Sequence, residues 1–550
     1  MGGVRSVVAR ANKKLTVQFA AALIASSTLL GMIFGILRER IINSIYMPNP
    51  QTGFPGYPVG LDAYTTAFTI PDFMFFILVS GALSVTFIPV FNQRLSAGNK
   101  KSAWELSTSL VNLMALTTLL ASILIIIFAD QLTYLLAPGY SETGHALTVS
   151  MMRVIAVNPF LFAIATVIAS MQQAVGRFTF YALAPTLYNI GIIIGTLYFT
   201  QGITIFGVEI FDGGIMGIAL GVVLGSVMQL LVSCIGLVGL GFDYKFKIYW
   251  RNKGLRKVVG LLPARSTDQG MDYIVGMVEN NLASRMAAGT VRSFNQAITL
   301  HMAPINLIGV AISTAAFPKM TERLSEGRVD LFRQELQSVL RIIIWLALPV
   351  ATLTFFTRGY IVNFIKPGGN VLMAGILGIL TIAILFRSIY FIAARSFYAQ
   401  QDTKTPLYIS IFSVGLNIGL AIWFTQSLNM GAYGLALAQS LMALLEVVLL
   451  FFAMNIRIKG IFDPAFWHAV ARMTIATAIM AIVSYILVSI FPLQAGDYSS
   501  FYLTFPKFII ITGTSFAVYL GLSKLFKLHE ANPVLRVAAG YVKKLSRRSA

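Results

Sequence analysis

Four charged side chains, Arg265, Asp268, Asp272 and Glu279, recur at a spacing that would place them together on a helix. At about 100° per residue they fall within an arc of roughly 60°. The stretch that carries them, 263–285, stands where a membrane-spanning segment is expected. One charge at the bilayer centre costs about 2.5–3.5 kcal/mol on insertion scales. Four on one stripe must therefore face water or each other, and the spacing predicts a helix lining a polar cavity. An exposed helix or a helix end is the plainer alternative. Carboxylates are hard oxygen ligands, and a buried one can carry a proton. Asp268, Asp272 and Glu279 are thus candidate sites for a coupling Na⁺ or H⁺. The competing reading is structural, with Arg265 simply neutralising Asp268 and Asp272.

Other polar residues stand at the edges of apolar runs. Arg38 follows Gly31 and Gly35, a small-xxx-small pair that permits close helix approach. Arg38 either snorkels to the headgroups or faces the cavity as an anion contact. A guanidinium suits phosphate because it stays charged and bonds in a bidentate way. Asp62 opens the second apolar run after an uncharged Pro/Gly loop at 47–61, where it reads as a helix cap or a cavity group. Arg292 begins the eighth run, which also holds Asn295, Gln296, Thr299 and His301. Polar residues this dense within a span point to cavity or interhelix bonding. His301 is either a packing histidine or a proton carrier.

The elements that must position these groups are helices in a membrane. The 550 residues are 57% hydrophobic and 11% charged, with a mean hydropathy of +0.77. A soluble domain carries about 25% charged residues. About fourteen apolar runs are long enough to span: 15–42, 62–94, 101–128, 144–174, 178–200, 213–240, 258–287, 291–323, 331–356, 371–400, 405–426, 432–456, 463–490 and 501–527. The net charge of +20 gathers in every second short connection, hence on one side of the membrane, which is the positive-inside pattern and not a nucleic-acid surface. Both termini, the basic segments 1–14 and 528–550, are therefore expected in the cytoplasm. Anionic lipids are the expected partners of the basic connections. The one cysteine, Cys234, excludes an intramolecular disulfide. No metal-ligand spacing, P-loop, GxSxG or HExxH occurs in a fitting context, so no cofactor and no enzymatic chemistry is expected. Active transport would have to draw on an ion gradient or the membrane potential.

The chain repeats itself. Arg94-Leu95-Ser96-Ala97-Gly98 follows Pro89 as Arg323-Leu324-Ser325-Glu326-Gly327 follows Pro318, at an offset of 229. Gln172-Gln173 precedes Asn189-Ile190-Gly191 as Gln400-Gln401 precedes Asn417-Ile418-Gly419, at 228. An offset of six helices preserves orientation, so two parallel six-helix lobes are expected. These are 15–240 and 258–456, joined by a basic loop at 241–257, with two further helices over 463–527. Such lobes make a transporter with its site between the halves. A duplicated channel or a membrane scaffold is the alternative.

Several stretches resemble the MurJ/MviN family of lipid II flippases, in the multidrug/oligosaccharidyl-lipid/polysaccharide (MOP) exporter superfamily. They are Gly35-Ile36-Leu37-Arg38-Glu39, Leu61-Asp62-Ala63-Tyr64, Ser80-Gly81-Ala82-Leu83-Ser84 and Ala137-Pro138-Gly139-Tyr140. Ala184-Pro185-Thr186-Leu187-Tyr188-Asn189-Ile190 and the run Phe397 to Pro406, FYAQQDTKTP, complete the set in the family's order. The resemblance implies an all-α, MATE-like fold of fourteen helices in the bacterial inner membrane. It implies outward movement of a polyprenyl-linked peptidoglycan precursor by alternating access, for cell-wall synthesis, in company with other cell-wall proteins. Arginines would meet the pyrophosphate, the last two helices would hold the lipid tail, and membrane potential or Na⁺ would drive the cycle. Arg38 matches a family arginine, and Glu39, Asp62 and Asn189 lie in the matching stretches. Other family arginines fall on Met32, Phe75, Phe76 and Thr299, and a family acid falls on Ser80. Arg265 and Arg292 are the expected substitutes, unless the exported molecule is another lipid-linked glycan or an amphipathic compound.

Overall fold

A computed structural model describes residues 17–46, 58–80, 87–205, 208–494 and 500–532. Twelve helices among them are long and apolar enough to cross a membrane. They are α2 (Val59–Val79), α3 (Lys100–Leu136), α4 (Glu142–Ala174), α5 (Thr179–Gln201), α6 (Met216–Ile235), α8 (Thr290–Ser325), α9 (Val329–Ile365), α10 (Val371–Ala399), α11 (Lys404–Ser427), α12 (Ala432–Arg457), α13 (Pro464–Ile490) and α14 (Phe501–Leu525). Two more helices, α1 (Val17–Ile45) and α7 (Lys253–Ser284), have 29 and 32 residues. At 1.5 Å per residue each is about 45 Å long, beyond the ~30 Å of a hydrocarbon core. Residues 1–16, most of the loop at 47–61 and residues 533–550 of the basic C-terminal segment lie outside the described residues.

The described residues are helical save for one hairpin that the reading of apolar runs did not predict. Ile203–Ile205 pairs antiparallel with Val208–Phe211 between α5 and α6, with Ile203 opposite Phe211. The alternation in ITIFGVEIF is that of a strand pair.

The first compact unit ends at Arg292 and the second begins at Ser293. In the first, α5 and α6 lie backbone to backbone. A Cβ on Gly191 would collide with the backbone of Gly225, and one on Gly195 with that of Gly221. This is the small-residue contact that the Gly31/Gly35 pair was expected to make. A Cβ on Gly31 would only touch Thr186 at 3.8 Å, and one on Gly35 would meet nothing within 4 Å. A small-residue pair identifies a permissible approach, and the neighbouring side chains decide whether it is used.

α7 is held within the first unit by its own amides. Asn280 Nδ2 donates to the Leu136 carbonyl at 3.0 Å and Asn281 Nδ2 to that of Leu135 at 2.7 Å, satisfying the last carbonyls of α3. Gly139 then passes close beside α7, because a Cβ there would sit 2.5 Å from the Arg285 Cα. The repeat groups this helix with the later ones, whereas its contacts group it with the earlier ones.

In the second unit α13 and α14 pack on α9. Trp345 donates its indole N–H to Ser523 Oγ at 3.1 Å, and Tyr519 donates to the Trp345 carbonyl at 2.9 Å. All three residues are buried.

The sequence repeat has counterparts in the helices. α3 and α9 each run for 37 residues and begin at 100 and 329, an offset of 229. Phe76–Ser80 in α2 and Asn306–Val310 in α8 are both π-helical, at an offset of 230.

Candidate functional site

The charged cluster of the first unit forms around Glu39, near the end of α1. Arg38 Nη2 donates to Glu39 Oε1 at 2.8 Å, and Arg292 Nη2 donates to Glu39 Oε2 at 2.5 Å. One carboxylate therefore bridges two guanidinium groups. Arg38 Nη1 also donates to Asn189 Oδ1 at 2.9 Å. Asn189 is fixed in turn by donating to the carbonyls of Gly31 and Pro185, at 3.4 and 3.3 Å. Arg292 Nη1 reaches Thr65 Oγ1 at 3.4 Å, and its guanidinium lies 5.6 Å from the centroid of the Tyr64 ring. The Nε–H groups of both arginines are buried and have no hydrogen-bond partner. A guanidinium offers five N–H donors. The cluster of two arginines and one glutamate thus keeps a net positive charge and spare donors, a combination that suits an oxyanion.

Asp62 plays a different part from the cap of its own helix. Its carboxylate accepts from the backbone N–H of Gly289 at 2.5 Å and of Arg292 at 2.7 Å. It caps the first turn that follows, and Gly289 supplies the φ of +91° that this turn requires. Asp62 therefore positions Arg292 through its backbone.

The remaining predicted residues do not join this cluster. Thr299 belongs to the second unit, is exposed, and donates its hydroxyl back to the Asn295 carbonyl at 2.9 Å. Glu279 is buried in α7. Arg265, Asp268 and Asp272 lie outside the residues whose side chains are described. His301 is buried and donates from Nδ1 to the Ile298 carbonyl at 2.7 Å. Where the resemblance expects arginines, Phe75 packs on Phe162 at 5.6 Å and Phe76 on Tyr273 at 4.9 Å. Among the described residues no group of three or more His, Cys, Asp and Glu could hold a metal.

Two participants went unrecognised. Tyr64 and Thr65 lie three and two residues before α2's Ala67 and share the helix turn of Asp62, so their spacing alone could have flagged them. In the second unit a part-buried pair was missed altogether. Arg387 Nη1 approaches Glu446 Oε2 at 3.4 Å, and Ser410 donates to Glu446 Oε1 at 2.8 Å. The signal was present, since Glu446 is the lone charge in the apolar run 432–456 and Arg387 shares the run 371–400 only with Arg395.

Comparison with known proteins agrees with this architecture. The family model described as lipid II flippase MurJ matches residues 56–506. A probable lipid II flippase MurJ from Thermotoga maritima is 24% identical over 520 residues, covering 92% of this chain and 96% of that protein. A lipid II flippase MurJ from Burkholderia cenocepacia is 26% identical, covering 81% and 85%. A solved lipid II flippase MurJ in an inward closed conformation shares the fold, with a TM-score of 0.73, 22% identity, and coverage of 92% of this chain and 98% of its own. An inward-facing MATE transporter of the MOP superfamily gives a TM-score of 0.62 at 16% identity, covering 80% and 98%. With a family match over most of its length and helices of that fold, the chain is a multi-pass membrane protein that belongs to the lipid II flippase MurJ family.

Proposed function

We infer that this chain is a flippase, not an enzyme, and carries lipid II from the inner to the outer leaflet of the bacterial inner membrane by alternating access. The observation that carries the anion-binding part is the Glu39 bridge. Arg38 and Arg292 are held together by one carboxylate, with both Nε–H groups unpaired. A pyrophosphate brings more acceptor oxygens and more charge than Glu39, so it competes for the same two guanidinium groups. Binding then releases Glu39, and departure of the substrate lets Glu39 reclaim both arginines. Asn189 and Asp62 act as positioning groups, the first for Arg38 and the second for the Arg292 backbone. Arg265 supplies further charge for the substrate, and Thr299 a polar contact.

Fourteen spans, with both termini cytoplasmic, belong to the same reading. It is supported by the basic connections and by the lengths of α1 and α7. A Na⁺ or H⁺ gradient acting at Asp268, Asp272 and Glu279, or the membrane potential, supplies the driving force. Anionic lipids on the basic face and other cell-wall synthesis proteins are its partners.

The test is complementation of a strain depleted of its own lipid II flippase, with labelling of lipid II at the outer leaflet. Wild type restores growth and labelling, while Arg38→Ala, Arg292→Ala and Arg265→Ala do not at matched expression. Full rescue by Arg38→Ala together with Arg292→Ala rejects the anion clamp. Failure of the wild-type chain rejects lipid II as substrate and leaves export of another polyprenyl-linked glycan. That second reading is favoured by Phe75 and Phe76, which place packed aromatic rings where the resemblance expects cations.

A further inference from the structure

The connection between α6 and α7 is not a free loop. One face of α3 presents Ser102, Ser109 and Asn112, at i, i+7 and i+10. Asn112 Nδ2 donates to the carbonyls of Lys245 and Lys247, at 2.8 and 3.1 Å, and Asn112 Oδ1 accepts from the Tyr244 hydroxyl at 2.7 Å. Ser109 Oγ accepts from the Tyr249 N–H at 2.8 Å, and Asn252 Nδ2 donates to the Ser102 carbonyl at 3.1 Å. The strap is therefore anchored through its backbone and through the side chains of Tyr244 and Asn252, which leaves Lys247 and Arg251 for another purpose.

Those side chains close over a cavity of about 660 Å³. Arg94, Lys247, Arg251 and Lys253 line it, with Glu105 as its one carboxylate. Arg94 is fixed there, donating from Nη1 to Asn252 Oδ1 at 2.6 Å and to Ser102 Oγ at 3.0 Å. Four cationic side chains against one carboxylate make an anion site, and α3 and α7 both begin at its wall, where helix dipoles add positive potential. Beside it Phe246 is 92% exposed, with Tyr244 and Trp250 about half exposed. Exposed aromatics next to lysines and arginines mark the level of the lipid headgroups.

We propose that this cavity binds the phosphate of an anionic membrane lipid, docked from the side of the exposed aromatics. A soluble phosphate compound shares the charge chemistry but has no use for Phe246 and Trp250. The proposal deepens the anionic-lipid part of the proposed function and is independent of which glycan is exported.

The test is native mass spectrometry of the full-length protein in detergent, titrated with phosphatidylglycerol, with phosphatidylcholine, and with inorganic phosphate as competitor. Each cationic residue near a lipid surface contributes enough that removing two weakens binding about 30-fold. Lys247→Ala with Arg251→Ala should therefore lose phosphatidylglycerol by about that factor, with an unchanged thermal unfolding midpoint. Lys404→Ala with Lys459→Ala, two exposed cations elsewhere, should bind as wild type does. Equal affinity in the strap variant, or equal loss in the control pair, overturns the site. Phosphatidylcholine binding as tightly as phosphatidylglycerol also overturns it, and displacement by equimolar inorganic phosphate overturns the lipid as its source. None of these results alters the outcome of complementation.

Discussion

Replacing Glu39 with glutamine keeps the shape of the bridge between Arg38 and Arg292 and removes its charge. In wild type the two carboxylate oxygens accept at 2.8 and 2.5 Å. Without that charge, two guanidinium groups on the order of 5 Å apart repel by ~3 kcal/mol at an effective dielectric constant of ~20. Arg38 has 23% of its side chain exposed, so screening lowers the cost to about 1–2 kcal/mol. The net charge of the trio rises by one, and an added oxyanion no longer has to displace a carboxylate. Glu39→Gln should therefore unfold at a lower temperature than wild type in detergent. Inorganic pyrophosphate at a hundredfold excess over its Kd should stabilise the variant by ~2.7 kcal/mol, and at the same concentration should stabilise wild type less. In cells the same variant should flip poorly, because nothing reclaims the arginines once substrate has bound. Thermal unfolding with and without pyrophosphate, alongside complementation, checks both halves. A variant with wild-type stability and no response to pyrophosphate would refute the reasoning, since Glu39 would then be a bystander.

Other perturbations separate the structural contacts. Gly195→Leu should abolish folded protein on size-exclusion chromatography, because its side chain has no room beside Gly221, while Gly35→Ala should express normally and gain up to ~1 kcal/mol of helix propensity. Glu446→Ala removes the carboxylate beside Arg387, which is one-quarter exposed, and should cost about 1–3 kcal/mol, whereas Glu446→Ala with Arg387→Met should recover most of the loss in a melting assay; a double variant as unstable as the single one counts against the pair. Asp402 lies between α10 and α11. Burial opposes its ionisation, but hydrogen bonds from Thr405 and Arg457 prevail and hold it down at about 2. A depressed carboxylate contributes stability that is complete above its ordinary value of 3.8 and is lost as pH falls through about 2. Asp402→Asn should therefore flatten the melting temperature measured between those limits.

Much of this was legible from residue order. The apolar runs, their alternating charge and the repeat are local properties that one strand of text displays. Arg38, Glu39, Asn189 and Arg292 could be nominated, but not the bridge that joins them. Its partners lie up to 253 residues apart, and only folding brings a carboxylate between two arginines. Asp62 shows the same limit, because an acid at the start of a helix looks like a cap whichever helix it serves. Gly31 and Gly35 failed for another reason, since a face of small residues does not reveal what stands opposite. Arg387 and Glu446 were readable and overlooked, since each stands in the middle of an apolar helix with few other charges. The strap from 244 to 252 reads as an ordinary basic loop until Ser109 and Asn112, inside a transmembrane helix, are seen to hold its backbone.

The paired π-helical segments carry a consequence about ancestry. A π turn arises when one residue is inserted into an α-helix. Phe76–Ser80 and Asn306–Val310 occupy equivalent places in the two copies. One insertion in a single ancestral gene before it was doubled would account for both. The second copy has since recruited Arg395 from α10, which donates to the Val310 carbonyl at 3.1 Å and also bonds Ser313. At the repeat offset of 229 the position matching Arg395 in the first copy is Thr166, whose short side chain cannot supply that brace, so the two π segments are held in different ways.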